Sequence, residues 1–575
     1  MATRSPDWPK NIDPQGRDAR MSQDFFAPHE ATLTAALAAI ATRGYWSAYP
    51  EAPSGRVYGE TAAADGEAAF KARLNQPFLL EQPATAGWVG SETSPFGFAL
   101  GITYPSPELN GLLAAMRTAL PAWRKAGARV RAGICLEILW RLNRRSFEMA
   151  QAVQHTTGQP FMMAFQAGGP HAQDRGLEAL AYGWRAMAEV PAHAHWEKPQ
   201  GKADPLRMDK DYHVVGRGIA LLIGCATFPT WNGYPGLFAS LVTGNAVVVK
   251  PHPGAILPLA ITVAIAREVL AEAGLPADVV TLAADTPEAP LAKELALRPE
   301  VRIIDFTGSS AFGSWLEDNA RQARVYAEKA GVNFVVLDSA ADLTAVTRNL
   351  AFSLSLYSGQ MCTTPQNIFV PRDGIRVGDG HASFDEVAAA IAGAVDKFVA
   401  DPARAVEVLG AVQAEATCAR LDQARALGRV LLDSRSLAHP AFPEARVRTP
   451  LILAADAADR ELFTRELFGP IAFVIATDGA EQALDLATAT ARDHGALTAS
   501  VYSTDPALLA RAEDLCVEAG VALSENLTGG VFVNQSAAFS DFHGTGANPA
   551  ANAALCDGDF VAGRFRVVQV RRHSA

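Results

Sequence analysis

Between Gly218 and Gly308 the chain repeats one pattern: a short apolar or β-branched run, a turn, then a helix-length stretch. Runs at 219–224 (IALLIG), 246–249 (AVVV), 279–283 (VVTLA) and 301–306 (VRIIDF) read as strands. Helices are expected from about 231, over 257–273 and near 290–296. Strands this short and apolar are buried on both faces, and their alternation with helices predicts a parallel sheet covered on both sides. Such sheets bind ligands at the carboxyl ends of their strands. Gly224–Thr227, Lys250 and Phe306-Thr307-Gly308-Ser309 all fall there.

A second α/β stretch is expected from about 331 to 549, with strands at 334–337, near 430–432, 451–453 and 471–475, and helices over 343–357 and 384–399. Inside it lies Tyr357–Pro371, YSGQMCTTPQNIFVP. Cys362 there follows Gly359-Gln360 and precedes a strand at 367–370. A sulfur on a Gly-bearing turn between helix and strand can sit in a cleft, although a buried structural cysteine is the commoner fate. Four other pieces, in order around it, decide against the structural reading. They are Glu328 in Tyr-Ala-Glu-Lys-Ala-Gly331, the Phe306–Ser309 run, Thr243-Gly-Asn-Ala-Val-Val-Val-Lys250-Pro, and Arg465-Glu466-Leu-Phe468-Gly469-Pro470.

Together these five motifs resemble the aldehyde dehydrogenase superfamily, collinearly over most of the chain; any one alone would be weak. The resemblance implies an α/β fold with a Rossmann-type cofactor domain, an α/β catalytic domain and a small β oligomerisation element. It divides the chain into an N-terminal extension (1–65), an NAD(P)-binding domain (66–192 and 218–330), a catalytic thiol domain (331–549) and oligomerisation strands (193–217 and 555–575). The run 496–502 (ALTASVY) resembles a family strand where the chain returns to the first domain. The tail at 560–570 resembles a strand that pairs with a neighbouring subunit, so a homodimer or homotetramer is expected; an edge strand within one chain is the alternative. The TFPTWNGYPG stretch and the long extension look like the phenylacetic acid degradation PaaN branch, associated with aldehydes, often CoA-linked, from aromatic catabolism. No hydratase segment follows, so a bifunctional architecture is not expected.

The resemblance also assigns roles. Cys362 is the nucleophile, and its only rival at a sheet end is Cys225. A thiolate forms the adduct from which hydride can leave, and its thioester is readily hydrolysed. Glu328 is the general base for that hydrolysis, provided its pKa is raised toward neutrality; its presence favours release of a free acid over transfer to CoA. Gly308 and Ser309 open a helix suited to a pyrophosphate. Lys250 should reach the adenosine ribose, with His252 beside it, and Glu466 and Phe468 should meet the nicotinamide ribose and ring.

Two departures from the family pattern stand out. Thr227 occupies the position of an Asn that normally donates to the oxyanion; Thr227 is the preferred candidate and Asn232 the alternative. The residue three past Lys250 is Pro253 rather than an acid, so NADP is expected, with NAD possible. Two rival functions stay open: a CoA-acylating reductase using the same cysteine, and a catalytically silent cofactor-binding paralogue.

Composition narrows the rest. A net charge of −11 argues against nucleic acid as partner, and the longest apolar stretches are too short to span a bilayer. The polar start carries no signal-peptide pattern. Six scattered cysteines show no metal spacing and suit a reducing cytoplasm. Arg141, Arg144 and Arg145 read as a solvated cationic helix end. The extension holds one helix near 28–43.

Overall fold

In the computed structural model, which describes residues 24–329 and 331–574, the first α/β stretch forms a five-stranded parallel sheet. Its spatial order is Arg324–Lys329, Val301–Gly308, Ile219–Ile223, Ala246–Lys250, Val280–Leu282. Every residue of the three strands from Ile219, Ala246 and Val280 is buried, as two-sided coverage requires. The helices Pro229–Val242 and Leu257–Glu272 are buried almost throughout and pack on it. This is the sheet that the strand–helix alternation predicts.

The second sheet has seven strands, ordered Arg429–Leu432, Leu451–Asp456, Ile471–Thr477, Asn367–Pro371, Phe334–Leu337, Thr498–Tyr502, Ala522–Glu525. Pairing is parallel except at the first edge. Thr498–Tyr502 therefore lies inside this sheet, bonded to Phe334–Leu337, and does not carry the chain back to the first. The return comes later. Lys329 N donates to the Ala550 carbonyl at 2.6 Å, and Arg564 buries its guanidinium against Asp305 at 2.6 and 2.8 Å. Losing one partner of such a buried pair typically costs about 3–5 kcal/mol, so the tail is firmly tied to the first sheet.

A third, antiparallel sheet joins His193–Gln200, Ala203–Gly216 and Phe565–His573. The tail strand pairs with Ala203–Gly216 of its own chain, from Phe565 opposite Gly216 to His573 opposite Met208. Its other edge has no strand partner among the described residues, and Val567, Val568 and Val570 are exposed.

The three arginines read as a helix end do close one helix, Gly127–Arg144, and a second, Ser146–Thr157, follows at once. Arg145 leaves helical geometry (φ −108°, ψ 22°), and the two helices turn to different neighbours, Pro170–Ala188 and Ala62–Lys71. Two of the three arginines are paired rather than merely solvated: Arg141 with Glu137 and Glu272, Arg145 with Glu148.

Helix Glu30–Thr42 of the extension packs on Pro170–Ala188, with Phe25, Phe26, Leu33 and Ile40 buried. A side chain at Gly133 would meet the Phe26 backbone at 2.6 Å, so that close approach needs glycine. The polar start falls outside the described residues. Among the described residues, no helix is long and apolar enough to cross a membrane.

Candidate active site

The turn carrying Cys362 is held against its own preferences. The expected helix to Tyr357 ends at Ser355, and Tyr357 (φ 52°), Ser358 (φ 49°) and Gly359 (φ 65°) are all left-handed. Two consecutive non-glycine residues there cost on the order of 1–3 kcal/mol each, and persist only where the surroundings enforce them. The surroundings do so. Ser358 Oγ donates to the carbonyls of Leu409 and Arg448, and Gln360 bridges Ala411 and Gln413. Asn333 Nδ2 donates to the Cys362 carbonyl at 2.7 Å while its Oδ1 accepts from Leu497 and Thr498. At Gly359 a Cβ would lie 2.6 Å from the Gly469 carbonyl, which ties this turn to the Glu466–Pro470 motif.

Cys362 opens into a cavity of about 830 Å³. Asn232 lines it; Thr227 does not. The Thr227 carbonyl accepts from Gln159 Nε2 at 2.8 Å, so of the two oxyanion candidates the alternative, Asn232, is the one on the cavity wall. Asn232 projects from helix Pro229–Val242. Its Oδ1 accepts from the Cys225 thiol (3.7 Å) and its Nδ2 donates to Glu328 Oε1 (3.3 Å). Cys225, the rival thiol, is buried outside the cavity lining, and burial pushes its pKa up to about 11.

Glu328 sits near the end of strand Arg324–Lys329, 5% exposed. The neighbouring Lys329 pairs with Glu317 at 2.8 Å. Burial would raise the Glu328 pKa, but the charge of His543 and hydrogen bonds from His543, Cys362 and Asn232 more than offset it and hold the carboxyl below its ordinary value. The general-base role asks for a shift in the other direction. The lowering comes first from His543, whose Nε2 lies 3.2 Å from Glu328 Oε1 and 3.7 Å from Cys362 Sγ. Sequence reading missed His543. It stands in a loop with no motif, 181 residues past the cysteine, and only the return of the chain to the first sheet brings it in. Burial and the Glu328 charge drive the Cys362 thiol well above its ordinary pKa, so the resting sulfur is protonated at neutral pH.

The other end of the cavity is built by the extension. Ser47 Oγ and Ala48 N both bond the Asp174 carboxyl, at 2.5 and 3.0 Å, and this fixes Tyr45, Trp46 and Ser47 in the lining. Burial raises Asp174 to about 7. A Tyr-Trp pair between a helix and a Pro/Gly-rich connection was the one available signal for this role.

Of the predicted cofactor residues, Lys250, His252, Gly308 and Ser309 lie at the carboxyl ends of the five-stranded sheet. Ser309 caps helix Ser310–Asn319, accepting from Phe312 N, and Gly308 leaves room for the Phe306 ring, which a Cβ would meet at 2.7 Å. Lys250 is buried and pairs with Asp285 at 2.8 Å. Asp285 Oδ2 also accepts from Leu291 N, while Oδ1 is buried with no hydrogen-bond partner. An acid therefore stands at Lys250 after all, supplied by the neighbouring strand's end rather than by the residue at 253. Burial, with Lys250 nearby, pushes His252 down to about 4, so it is neutral at pH 7; its Nδ1 accepts from Gly254 N. Glu466 and Phe468 line a smaller pocket with Met361 and Asn333, next to the cysteine turn, and burial raises Glu466 to about 7. An orphaned acceptor beside a lysine, a capped helix start and an acid–aromatic pair near the thiol fit a dinucleotide laid from Lys250 to Cys362.

The sequence matches the aldehyde dehydrogenase family over residues 106–539. The chain belongs to that family. It is 65% identical to an NAD-dependent aldehyde dehydrogenase from Burkholderia multivorans whose crystal structure superposes with a TM-score of 0.95, covering 96% of this chain and all of that one. It is 30% identical to N-succinylglutamate 5-semialdehyde dehydrogenase from Chromobacterium violaceum, over 67% of this chain and 74% of the relative. It is 26% identical to 1-pyrroline-5-carboxylate dehydrogenase from Bacillus subtilis, over 70% and 75%. The aldehyde dehydrogenase is thus an oxidoreductase with the fold its motifs imply.

Proposed function

We propose that this aldehyde dehydrogenase oxidises a free aldehyde with an aromatic or other apolar body to its carboxylic acid, with NAD. The observation that carries the substrate class is the cavity wall. Trp46, Met162, Met163, Trp231, Phe352 and Phe532 line it, and among the described residues no lysine or arginine does. Glu51, Asp174, Glu407 and Asp541 are its charged members besides the histidines, and His171 is already paired with Glu51. Two of the relatives are named for carboxylate-bearing substrates, N-succinylglutamate 5-semialdehyde and 1-pyrroline-5-carboxylate, whose anionic ends would meet acids here. The CoA-linked semialdehyde implied by the PaaN resemblance would bring phosphates and find no cation in this wall. The aromatic part of that expectation suits it well.

In this reading Cys362 is the nucleophile. Its main-chain N–H and Asn232 Nδ2 hold the oxyanion that forms when sulfur adds to the carbonyl. A nicotinamide held by Glu466 and Phe468 supplies the hydride acceptor. Glu328 orients and deprotonates the water that cleaves the thioester. NAD follows from Asp285: its free Oδ1 would accept a ribose hydroxyl and repel a 2′-phosphate, while neutral His252 gives that phosphate no charge. The tail strand's open edge and exposed valines support a homodimer or homotetramer, and six free thiols support a cytoplasmic setting.

The test is a panel of neutral aromatic, carboxylate-bearing and CoA-linked aldehydes, assayed with NAD and NADP, with and without free CoA. Highest kcat/KM is expected for neutral aromatic aldehydes with NAD, with acid as product whether or not CoA is present. Cys362→Ala should abolish turnover and leave cofactor binding intact. Preference for carboxylates, or an acyl-CoA product, would sink the reading. Glu328→Gln should keep the burst of reduced cofactor and stall deacylation, with acyl-enzyme visible by intact mass.

A further inference from the structure

We propose that His543 is a catalytic residue of this enzyme, its Nε2 taking the proton of the Cys362 thiol as sulfur attacks the substrate carbonyl. The inference rests on Cys362 being the nucleophile and adds the base that activates it. Three reactive groups, Glu328, Cys362 and His543, place one donor atom each within 4.8 Å of one another. A nucleophile and a base within reach, the base oriented by a further group, is the arrangement that makes a thiol reactive.

The ring is oriented on every side. Its Nδ1 lies 3.5 Å from Ser536 Oγ, and Arg175 Nη2 donates to that same oxygen at 3.0 Å. Trp231, from helix Pro229–Val242, meets the ring edge-to-face at 4.6 Å. The His543 backbone pairs with Leu555 in both directions, at 2.9 and 2.7 Å. The charged and titratable groups around it are Glu328 from the first sheet, Cys362 from the turn, Arg175 with its partner Glu178 from helix Pro170–Ala188, and Asp541 from its own loop. Nε2 lies between the two groups, 3.7 Å from the thiol and 3.2 Å from Glu328 Oε1, so it can hold the proton that leaves sulfur. The imidazolium formed on proton transfer then lies against the Glu328 carboxylate.

The electrostatics call for such a base. Burial and the Glu328 charge drive the thiol well above its ordinary pKa, so its proton needs an acceptor within reach, and Nε2 lies 3.7 Å from the sulfur. The step balances without a co-reactant. The S–H bond breaks and an N–H bond forms; the electron pair left on sulfur makes the C–S bond, and the carbonyl π pair moves to oxygen. When the thioester is hydrolysed, the departing thiolate recovers the proton from the imidazolium.

The test follows alkylation of Cys362 by iodoacetamide from pH 5.5 to 10, residue-resolved by mass spectrometry, without aldehyde or cofactor. Wild type is expected to show an inflection in rate near neutral pH. His543→Gln should lose it, reacting about a hundredfold more slowly at pH 7 and recovering only in alkali, while Glu328→Gln keeps it. Ser536→Ala, which removes the support at Nδ1, should move the inflection in the same direction by less. A wild-type profile with no neutral inflection would overturn the proposal, and that measurement needs no variant to fold. So would a His543→Gln profile matching wild type, or loss of the inflection in Glu328→Gln alone, which would send the proton to the glutamate. A wild type that alkylates as expected yet fails to reduce NAD with every aldehyde of the panel would instead count against the dehydrogenase reading and leave the pair standing.

Discussion

Two buried acids stand at the carboxyl ends of the same parallel sheet, and they are wired differently. At the Lys250 end, Asp285 accepts from a lysine and a main-chain amide, each close to 2.9 Å. Its charge is balanced where it sits. At the Cys362 end, Glu328 shares an imidazole, a side-chain amide and a thiol, and all three titratable groups lie within reach of one proton. A settled ion pair suits binding, because it presents the same face throughout a turnover. A crowded, undecided set suits chemistry, because small movements of substrate change where the proton sits. Fold alone does not separate the two ends; the inventory of donors does.

The largest effect tests the reactive end. Asn232→Ala removes the amide proposed to hold the oxyanion, and losing one such donor typically costs on the order of a hundredfold in kcat. Thr227→Val, outside the cavity, should leave kcat near wild type. Rapid-quench measurement of the hydride burst separates the two, and a slow burst in Thr227→Val with a normal one in Asn232→Ala would reverse the assignment.

The settled end should answer differently. Asp285→Asn removes the negative charge beside Lys250 while keeping its shape. The ratio of kcat/KM for NADP to that for NAD should rise by about tenfold, which corresponds to ~1.4 kcal/mol, with kcat for NAD little changed. An unchanged ratio would mean that Asp285 does not face the ribose. A fall in kcat itself would blur the distinction between the two ends.

What the sequence made legible follows from range. The strand–helix alternation, Lys250, Phe306–Ser309 and Cys362 are local signals, and the sheets and turns they imply form where expected. The misses at the site turn on three-dimensional placement. Asp285 reaches Lys250 from the next strand's end, Asn232 and not Thr227 stands on the cavity wall, and His543 returns from the far end of the chain. The left-handed pair Tyr357–Ser358 was equally hidden, since neither residue advertises a positive φ. Its cause is the packing of the Gly469 carbonyl and the Leu409 and Arg448 carbonyls around the turn.

The smallest effect lies beyond both acids, where the extension closes the cavity. Trp46 meets Phe539 edge-on at 4.8 Å and lines the wall, and its position depends on Ser47 and Ala48 gripping Asp174. Aromatic contacts of this kind are worth about 0.5–1.5 kcal/mol beyond area burial. Trp46→Ala should therefore raise KM for a large aromatic aldehyde by roughly three- to tenfold, the range that energy allows. Short aliphatic aldehydes, too small to reach Trp46 from Cys362, should keep their KM, and kcat should be unchanged for both, because the oxyanion donors and the base are untouched. A steady-state comparison of one short and one aromatic aldehyde reads this directly. Equal changes for both would show that the extension supports the fold without selecting substrate, and the cavity's selectivity would then rest on the rest of its apolar wall, Met162, Met163, Trp231, Phe352 and Phe532.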